Sequence, residues 1–402
     1  MNNKTLKINN SDNIVVALTD LKKNDTVKVN NKKYTLLNDI KVKHKFSIQN
    51  IETGKPIYMY GVVVGKAKKN IKIGEKINLS NIIHQTENYS VPKKIKKFNW
   101  NSPDVKHFIN TKFLGYHRDD GKVGTENNWV VIPLVFCQNR NIDVLKKNMI
   151  KSLGFERCSD ETYDLSELIN KYRSGASISE LSNISLQKKT NSKKTNSLFS
   201  NIDGLYFLTH DGGCGGTSFD SVSLCNLIAG YINNPNVGGA TILSLGCQHA
   251  QINILKKVLE KISPNLKKPV YYLEQQKSKS ENHYISEAIK KTFIGLTEAN
   301  KISRSPAPLS KLVIGLECGG SDGFSGISAN PTLGHVTDLI VGLGGSAILS
   351  EFPELNGVEQ QLIDRCVNID IAKKFNQLMT NYNSIASKLG SGFYANPSPG
   401  NI

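Results

Sequence analysis

The chain contains no uninterrupted run of ~18 apolar residues, the length a membrane-spanning helix requires. Its beginning, Met-Asn-Asn-Lys-Thr-Leu-Lys, also lacks the apolar stretch of a secretory signal peptide. From these two absences we expect a cytoplasmic protein with no membrane partner.

Cysteine is infrequent, with seven in 402 residues, and no Cys-x-x-Cys pair occurs. An odd number of thiols without that spacing argues against a disulfide framework and leaves buried thiols or metal ligands. Aromatic residues are also few, at 7%, but the hydrophobic share of 39% and the length suffice for two or three domain cores.

Acidic residues are outnumbered by basic ones, 34 to 51, so the net charge is +17. Such an excess is one signature of nucleic-acid binding. The lysines are scattered, however, and no basic stripe interleaved with aromatic residues is present, so no nucleic-acid partner is expected. A positive field would equally attract a small anionic substrate.

The arrangement of strand-like and helix-like segments predicts two domains and a linker. Residues 1–90 carry short strands separated by glycine and Asn-Asp turns, which is typical of a small all-β module. Residues 91–110 are rich in proline, lysine and asparagine and form the predicted linker. In residues 111–402 strands alternate with helices, which indicates βαβ units and a mostly parallel sheet. The predicted fold class is therefore α/β, with the larger domain Rossmann-like.

The most informative stretch begins with an apolar strand candidate, Leu312–Leu316, and breaks into a glycine-rich run. A carboxylate, a thiol, a hydroxyl and a second carboxylate follow at Glu317, Cys318, Ser321 and Asp322. Ligands of open α/β sheets bind just past the carboxyl ends of strands. Four glycines between Gly319 and Gly326 would let an anion approach the backbone N–H groups. A glycine-rich connection without a ligand is the alternative.

Three predicted strands are followed by a thiol, at Cys214, Cys247 and Cys318, and His210 and His249 lie beside the first two. Parallel strands place their carboxyl ends at one edge of the sheet, so these groups should converge. Thiolates with imidazole and carboxylate suit iron or zinc. The alternative is that small, buried cysteines merely fill crowded strand ends.

Two charged pairs lie near other predicted strands. Arg118 and Lys122 would hold a substrate carboxylate, or else form surface charges on a hairpin. Glu351 and Glu354 follow the strand candidate Ala347–Ser350 and would bind substrate hydroxyls. Alternatively, Glu354 caps the next helix.

Several of these runs resemble signatures of the altronate and galactarate dehydratase family. They are Gly-Cys-Gly at 213–215, Leu-Gly-Cys-Gln-x-x-Gln at 245–251, the run from Gly315 to Pro331, Glu351-x-Pro-Glu-Leu-x-Gly-x-Glu359 and Asn396-Pro-Ser-Pro-Gly-Asn401. At the front, Asp12-Asn13, His44-Lys45-Phe46 and Tyr60-Gly61 resemble the family's SAF-type module, which implies a β-clip fold for residues 1–90.

The chain departs from the family pattern in two places. The family's His-x-His-Asn tail aligns with Asn78-Leu79-Ser80-Asn81, so both histidines are absent. The Asn-Pro-Ser-Pro-Gly-Asn run normally continues, whereas this chain stops at Ile402, and we therefore expect a C-terminally truncated member.

The resemblance implies a lyase of carbohydrate metabolism, in hexuronate catabolism. It would be a hydro-lyase that removes water from a sugar acid, D-altronate first, and yields a 2-keto-3-deoxy acid. A divalent metal would assist, with Fe(II) expected and Mn(II) as the alternative ion. The alternative functions are a C–S lyase that acts on sulfolactate and a catalytically impaired homologue that binds a sugar acid. Assembly into a homo-oligomer is left open.

The roles are assigned as follows. The predicted catalytic residues are His210, His249, Glu317 and Asp322. The predicted metal ligands are Cys214, Cys247 and Cys318. The predicted substrate-binding residues are His44, Lys45, Arg118, Lys122, Gly319, Gly320, Ser321, Glu351 and Glu354.

Overall fold

The computed structural model describes residues 4–95, 98–156, 162–189, 197–317, 319 and 323–392. The chain divides into two compact units. Unit 1 comprises Met1–Ile109 and Leu312–Ile402, and unit 2 comprises Asn110–Lys311. The segment 111–402, which the sequence suggested as one domain, thus contributes to both units because its last part groups with the N-terminal strands.

The N-terminal part of unit 1 consists of nine short strands. They are β1 (Thr5–Leu6), β2 (Ile14–Ala17), β3 (Thr26–Val29), β4 (Lys32–Thr35), β5 (Lys45–Ser47), β6 (Pro56–Met59), β7 (Val62–Ala67), β8 (Lys76–Ile77) and β9 (Ile82–Ile83). They form the antiparallel sheets β1-β2-β5-β8 and β6-β7-β9 and the hairpin β3-β4. The expected strand-rich start is confirmed.

A buried polar pair, Asp12 and Asn13, ties these short strands together. The Asp12 carboxylate accepts the N–H of Gly61 at 2.9 Å, and the Asn13 side-chain oxygen accepts the N–H of Tyr58 at 2.8 Å. The Asn13 amide donates to Pro56 O at 3.1 Å. Strands of two to six residues make few ladder bonds, so these side chains supply the partners that buried backbone groups require.

Unit 2 alternates strands and helices. Its strands are β10 (Lys112–His117), β11 (Val123–Gly124), β12 (Asn128–Pro133), β13 (Thr162–Tyr163), β14 (Lys188–Lys189), β15 (Gly204–Phe207), β16 (Val237–Ser244), β17 (Val270–Glu274) and β18 (Ser305–Pro308). Its helices are α1 (Asn139–Met149), α2 (Ser166–Arg173), α3 (Ile178–Ser182), α4 (Ser218–Asn233), α5 (Ile252–Ile262) and α6 (Glu281–Ala299).

The central sheet of unit 2 has the strand order β15-β12-β16-β17, and its neighbours are all parallel. Trp129 and Val131 point into a core shared with α1 and α6, whereas Val130 and Ile132 point into a core shared with α4 and α5. Helices therefore cover both faces, which explains why β12 and β16 are buried at every position. The α/β class with a parallel sheet is confirmed, and the Rossmann-like assignment stays a prediction.

The C-terminal part of unit 1 pairs two parallel strands, β19 (Val313–Leu316) and β20 (Ser346–Leu349). The helix α7 (Ala329–Gly342) connects them, and α8 (Glu359–Asp364) and α9 (Ile369–Lys388) follow. No helix among the described residues is both long and apolar enough to cross a membrane.

The Trp129 indole marks the tightest part of the unit 2 core. It is fully buried, and its Nε1–H donates to Thr241 Oγ1 at 3.1 Å. A Cβ at Gly295, in α6, would overlap the indole ring, so α6 approaches the sheet closely only because this position has no side chain.

We expect Gly295→Ala to lower the free energy of unfolding by about 1–3 kcal/mol, because the added methyl must displace the indole. Gly230→Ala is the matched control, since a Cβ at this exposed position of α4 meets nothing within 4 Å. It should raise stability by up to about 1 kcal/mol through helix propensity. Chemical unfolding followed by tryptophan fluorescence measures both, and equal stabilities for the two variants would contradict the expected clash.

Candidate active site

Three neighbouring strands of unit 2 end in loops that carry exposed thiols. Cys137 follows β12, Cys214 follows β15 and Cys247 follows β16. These strands are adjacent and parallel, so the loops emerge at the same edge, which we call the carboxyl edge. The expected convergence thus has structural support for Cys214 and Cys247, while Cys318 lies outside the described residues.

His210 joins two of these loops through both ring nitrogens. Its Nε2 lies 2.7 Å from Pro133 O, and its Nδ1 accepts the N–H of Gly212 at 3.1 Å. A neutral ring with its hydrogen on Nε2 satisfies both contacts, and this tautomer is assigned from the hydrogen-bond partners. His210 therefore fixes the end of β15 against the end of β12.

The backbone at Gly213 is the point where the three loops meet. Gly213 O accepts N–H bonds from His249 at 3.0 Å and Ala250 at 3.1 Å, and Gly212 O accepts the N–H of Phe136 at 3.0 Å. Gly213 has φ of +97°, and a Cβ there would overlap the Leu134 carbonyl oxygen. Only glycine meets both conditions without strain.

Gln248 organises the loop that carries Cys247 and His249. Its side chain is buried and accepts the Gly246 N–H at 2.7 Å while donating to Ser244 Oγ at 2.6 Å. The neighbours Cys247 and His249 are both exposed. The glutamine of the Leu-Gly-Cys-Gln run is thus a positioning residue that turns the thiol and the imidazole outward.

Arg118 lies at the other end of the same strands, which we call the amino edge. Its guanidinium donates to Pro235 O at 2.8 Å and to the Asn127 side chain at 3.0 Å, just before β16 and β12 begin. Burial lowers its pKa. Lys122 forms an exposed ion pair with Asp120 at 2.7 Å. The structure therefore does not bring this predicted pair to the carboxyl edge.

A cavity of about 270 Å³ opens beside Arg118 at the amino edge. Lys268 lines it and donates to Ile232 O at 3.1 Å and Asn234 O at 2.6 Å. Burial, reinforced by Arg118, lowers the pKa of Lys268 to about 7. Sequence reasoning missed this lysine, because nothing in a Lys-Lys-Pro run distinguishes a buried lysine from a solvated one.

In unit 1, carboxylates gather where β19 and β20 end. Glu317 directly follows β19, and Glu351 follows β20 with a left-handed backbone at φ +54°. The charge of Glu354 is the main cause that raises the pKa of Glu351, with smaller contributions from burial and from Glu317. The structure therefore brings these three predicted residues together.

A basic group of the N-terminal strands faces the glycine-rich run of unit 1. The Lys43 ammonium lies 4.8 Å from the centre of the Phe324 ring, and a Cβ at Gly326 would lie 2.7 Å from the Tyr60 hydroxyl. Lys43 and Tyr60 both have positive φ, at 74° and 60°, and Tyr60 lies in the two-residue turn between β6 and β7.

The predicted pair His44 and Lys45 directly follows Lys43. Burial is the main cause that lowers the pKa of both side chains, and the charges of Lys76 and Lys45 add to the effect at His44. Positive charge is therefore costly here, and an anion that pairs with these groups would offset that cost.

Of the other predicted residues, Gly319 is exposed. Gly320, Ser321 and Asp322 lie outside the described residues. Sequence analysis did not single out Cys137, because residues 129–137 form an almost unbroken apolar run that is typical of one buried strand. The available signal was Pro133, since proline within such a run favours a strand end.

Comparison with known proteins finds three family models that match the chain. Residues 3–85 match the altronate/galactarate dehydratase SAF domain, and residues 115–300 match the second domain of D-galactarate dehydratase/altronate hydrolase. Residues 309–402 match the C-terminal domain of D-galactarate/altronate dehydratase.

Similar individual proteins include two altronate dehydratases. The one from Bacillus subtilis is 29% identical over 396 residues, which cover 98% of this chain and 69% of that protein. The one from Escherichia coli is 28% identical over 399 residues, covering 98% and 70%. The (2R)-sulfolactate sulfo-lyase subunit beta of Chromohalobacter salexigens is 25% identical over 295 residues, covering 72% and 60%.

We expect His210→Ala to lower the free energy of unfolding by about 1–3 kcal/mol, because Pro133 O and the Gly212 N–H lose their partner. His249→Ala, at an exposed position of the same edge, should change stability by no more than about 0.5 kcal/mol. Urea unfolding of both variants measures the difference. Equal losses would mean that the His210 contacts contribute nothing to the fold.

We expect Glu354→Gln to lower the pKa of Glu351 toward its ordinary value, because the nearest negative charge is removed. Carbon-detected NMR titration of the side-chain carboxyls follows the change directly. Glu167→Gln, on the exposed surface of α2 in unit 2, is the control and should leave the Glu351 titration where it is. An unmoved Glu351 curve in Glu354→Gln would exclude the proposed coupling.

Proposed function

The chain belongs to the altronate/galactarate dehydratase family and is a carbon–oxygen lyase acting on sugar acids, and from this premise we propose that D-altronate is its substrate. Water would be removed across C2–C3 to give a 2-keto-3-deoxy acid. The observation that carries this choice is the similarity to two altronate dehydratases along 98% of the chain.

The difficult step of this reaction is removal of the weakly acidic proton on C2. A general base takes that proton, the C3 hydroxyl leaves with a proton from a general acid, and the enol then becomes the keto acid. Atoms balance without an oxidant, because hydrogen and hydroxide leave together as water.

The carboxylates of unit 1 suit the acid–base roles. We assign Glu317 as base and Glu351 as acid, since the charge of Glu354 raises the pKa of Glu351, which is the direction that a general acid requires. Glu354 then acts as a positioning residue, because its charge is the main cause of that raised pKa. Asp322, which lies outside the described residues, is retained as a hydroxyl acceptor.

The substrate carboxylate suits the basic group beside the glycine-rich run. We propose that His44 and Lys45 bind it, joined by Lys43, because burial disfavours the positive charge of His44 and Lys45 and a paired anion would offset that cost. The negative charge of the substrate carboxylate would favour the protonated forms of His44 and Lys45. Gly319, Gly320 and Ser321 are proposed to add backbone or hydroxyl donors.

The donor types at the carboxyl edge of unit 2 are ones that iron binds, although no three His, Cys, Asp or Glu side chains among the described residues are grouped as metal ligands. Exposed thiols and the exposed His249 imidazole are soft ligands that favour Fe(II) over Mg(II) or Ca(II), with Mn(II) as the alternative. Cys214 and Cys247 are the proposed ligands. An ion held there would supply Lewis-acid chemistry. His210 holds the two loops in register.

A second candidate is supported by the similarity to the sulfolactate sulfo-lyase subunit. In that reaction sulfite would leave in place of hydroxide from the carbon beside the deprotonated one. The same base and carboxylate-binding groups would serve both substrates, so direct assay must separate the two candidates.

We expect the full chain, assayed anaerobically with iron(II), to form a keto acid from D-altronate and to release no sulfite from (2R)-sulfolactate. Glu317→Gln should lower kcat by about 10²–10⁴-fold, as is usual for loss of a general base. Glu52→Gln, at an exposed N-terminal turn, is the matched control and should keep full activity.

Keto-acid formation and sulfite release are measured in parallel for all three proteins. Sulfite release without keto acid from D-altronate would replace the first candidate by the second. Full activity in Glu317→Gln would remove that residue from the acid–base pair.

A further inference from the structure

The cavity at the amino edge of unit 2 belongs to none of the assignments above. It measures about 270 Å³, and its lining residues all belong to unit 2. Pockets for drug-sized ligands occupy about 300–1,000 Å³, so this one suits a small molecule. The strands β12 and β16, six and eight residues long, separate it from the carboxyl edge by roughly 20 Å. The cavity is therefore distinct from the loops that carry the thiols.

Two cations line the cavity and bind the turn that joins α4 to β16. The Lys268 ammonium donates to Ile232 O at 3.1 Å and to Asn234 O at 2.6 Å. The Arg118 Nε donates to Pro235 O at 2.8 Å. The last carbonyls of a helix lack partners within it and carry partial negative charge, so cations are favourable at this place. Both cations are thus held in position before any ligand binds.

Each cation retains a donor that the protein does not use. An ammonium has three hydrogens, and the two carbonyls take two of those on Lys268. Arg118 is only 8% exposed and donates through Nε and Nη2, whereas its Nη1 has no acceptor in the part of the chain that the structure describes. Charged donors of this kind form their strongest hydrogen bonds with carboxylates and phosphates. The cavity therefore has two free donors for an anion.

Carboxylates make up the rest of the charged lining. Asp119 and Asp120 follow β10, and Glu298 lies near the end of α6. Lys122 pairs with Asp120 at 2.7 Å, and Glu298 accepts a hydrogen bond from the Tyr271 hydroxyl at 3.2 Å. Ionised carboxylates only accept hydrogen bonds, so a ligand that contacts them must carry donors.

We propose that this cavity binds a small carboxylic acid whose remaining groups donate hydrogen bonds. The ligand carboxylate accepts from Lys268 and Arg118, and its hydroxyl or ammonium groups donate to Asp119 and Glu298. A bare anion gives the two carboxylates no donor, and a neutral polyol gives the two cations no counter-charge. This ligand is additional to the substrate of the proposed function, and its binding does not depend on that function.

Proton uptake accompanies the binding. Burial, reinforced by the charge of Arg118 and to a smaller extent by Lys122, lowers the pKa of Lys268 to about 7, while Asp120 opposes this shift. The other titratable groups that line the cavity are His117, Asp119, Lys267 and Glu298. In the empty protein at pH 8 the Lys268 amine is mostly neutral, and its two hydrogens serve the two carbonyls. An anion raises this pKa, so a proton is taken up and supplies the third donor. The affinity should therefore rise about tenfold as the pH falls from 8 to 6.

Isothermal titration calorimetry of the full chain with D-gluconate, L-serine and acetate tests the proposal. D-Gluconate offers hydroxyl donors, L-serine offers an ammonium and a hydroxyl, and acetate offers neither. At least one of the first two should bind about fivefold or more tightly than acetate, because each added charge-assisted hydrogen bond contributes to affinity. Titration at pH 8 in two buffers of different ionisation enthalpy should show that most of one proton is taken up per ligand.

Three variants of the lining and one control locate the site. Lys268→Met should weaken binding by about tenfold and abolish the proton uptake. Lys268→Arg keeps a positive charge that does not titrate near pH 7, so it should bind without the uptake. Asn265→Asp adds a negative charge at the exposed rim, leaves the α4 contacts intact and should weaken binding by about threefold. Lys257→Met, at an exposed position of α5, is the matched control and should bind like the unsubstituted chain.

Several results would overturn the proposal. Equal affinities for acetate and both donor-bearing acids would exclude the ligand class, and so would dissociation constants above about 10 mM for both of these acids. Unchanged binding in Lys268→Met and Asn265→Asp would exclude the cavity. Loss of binding in Lys45→Met, with Lys268→Met unaffected, would place the ligand at the proposed substrate site instead. Binding at the amino edge of a chain that forms no keto acid from D-altronate would support this inference and count against the proposed function.

Discussion

The unit 2 site depends on the close approach of the Gly213 backbone to the Leu134 carbonyl group. A side chain there would overlap the Leu134 carbonyl, and the φ of +97° favours glycine for a second, independent reason. Because the Gly213 carbonyl also accepts two N–H bonds from the Cys247 loop, one residue sets the positions of three strand ends. Gly213 therefore places the side chains after β12, β15 and β16 at a common edge. The His210 imidazole, through Pro133 O and the Gly212 N–H, also connects the ends of β12 and β15.

Much of this arrangement was readable from the amino-acid sequence. The alternation of apolar strands and helices in residues 111–402 predicted a mostly parallel sheet, and β12, β15, β16 and β17 form one. It also placed Cys214, Cys247, His210 and His249 at one edge, since parallel strands share a direction. The end of β12 was missed, because Leu134 and Val135 continue the apolar run past Pro133 and obscure the loop that carries Cys137.

The surroundings of Arg118 could not be read from the sequence. Arg118 was expected to meet a substrate, but its guanidinium donates to carbonyl and amide oxygens at the amino edge. No local pattern distinguishes an arginine that binds a ligand from one that ties loops together, because both need several acceptors arranged in a plane. The positive φ of Tyr60, by contrast, has a local origin, because Tyr60 and Gly61 form the two-residue turn between β6 and β7.

Asn127 concentrates the polar contacts of the amino edge. Its buried side chain donates to Asn201 O and Ala299 O and accepts from Arg118, and its N–H is held by Asp203, which also pairs with Arg304. The fold is thereby anchored at the end of the sheet remote from the thiols. Substitutions in the loops of the carboxyl edge can therefore change the reaction without disturbing these contacts. The residues that maintain the fold of unit 2 at the amino edge are separate from the residues that would determine its chemistry.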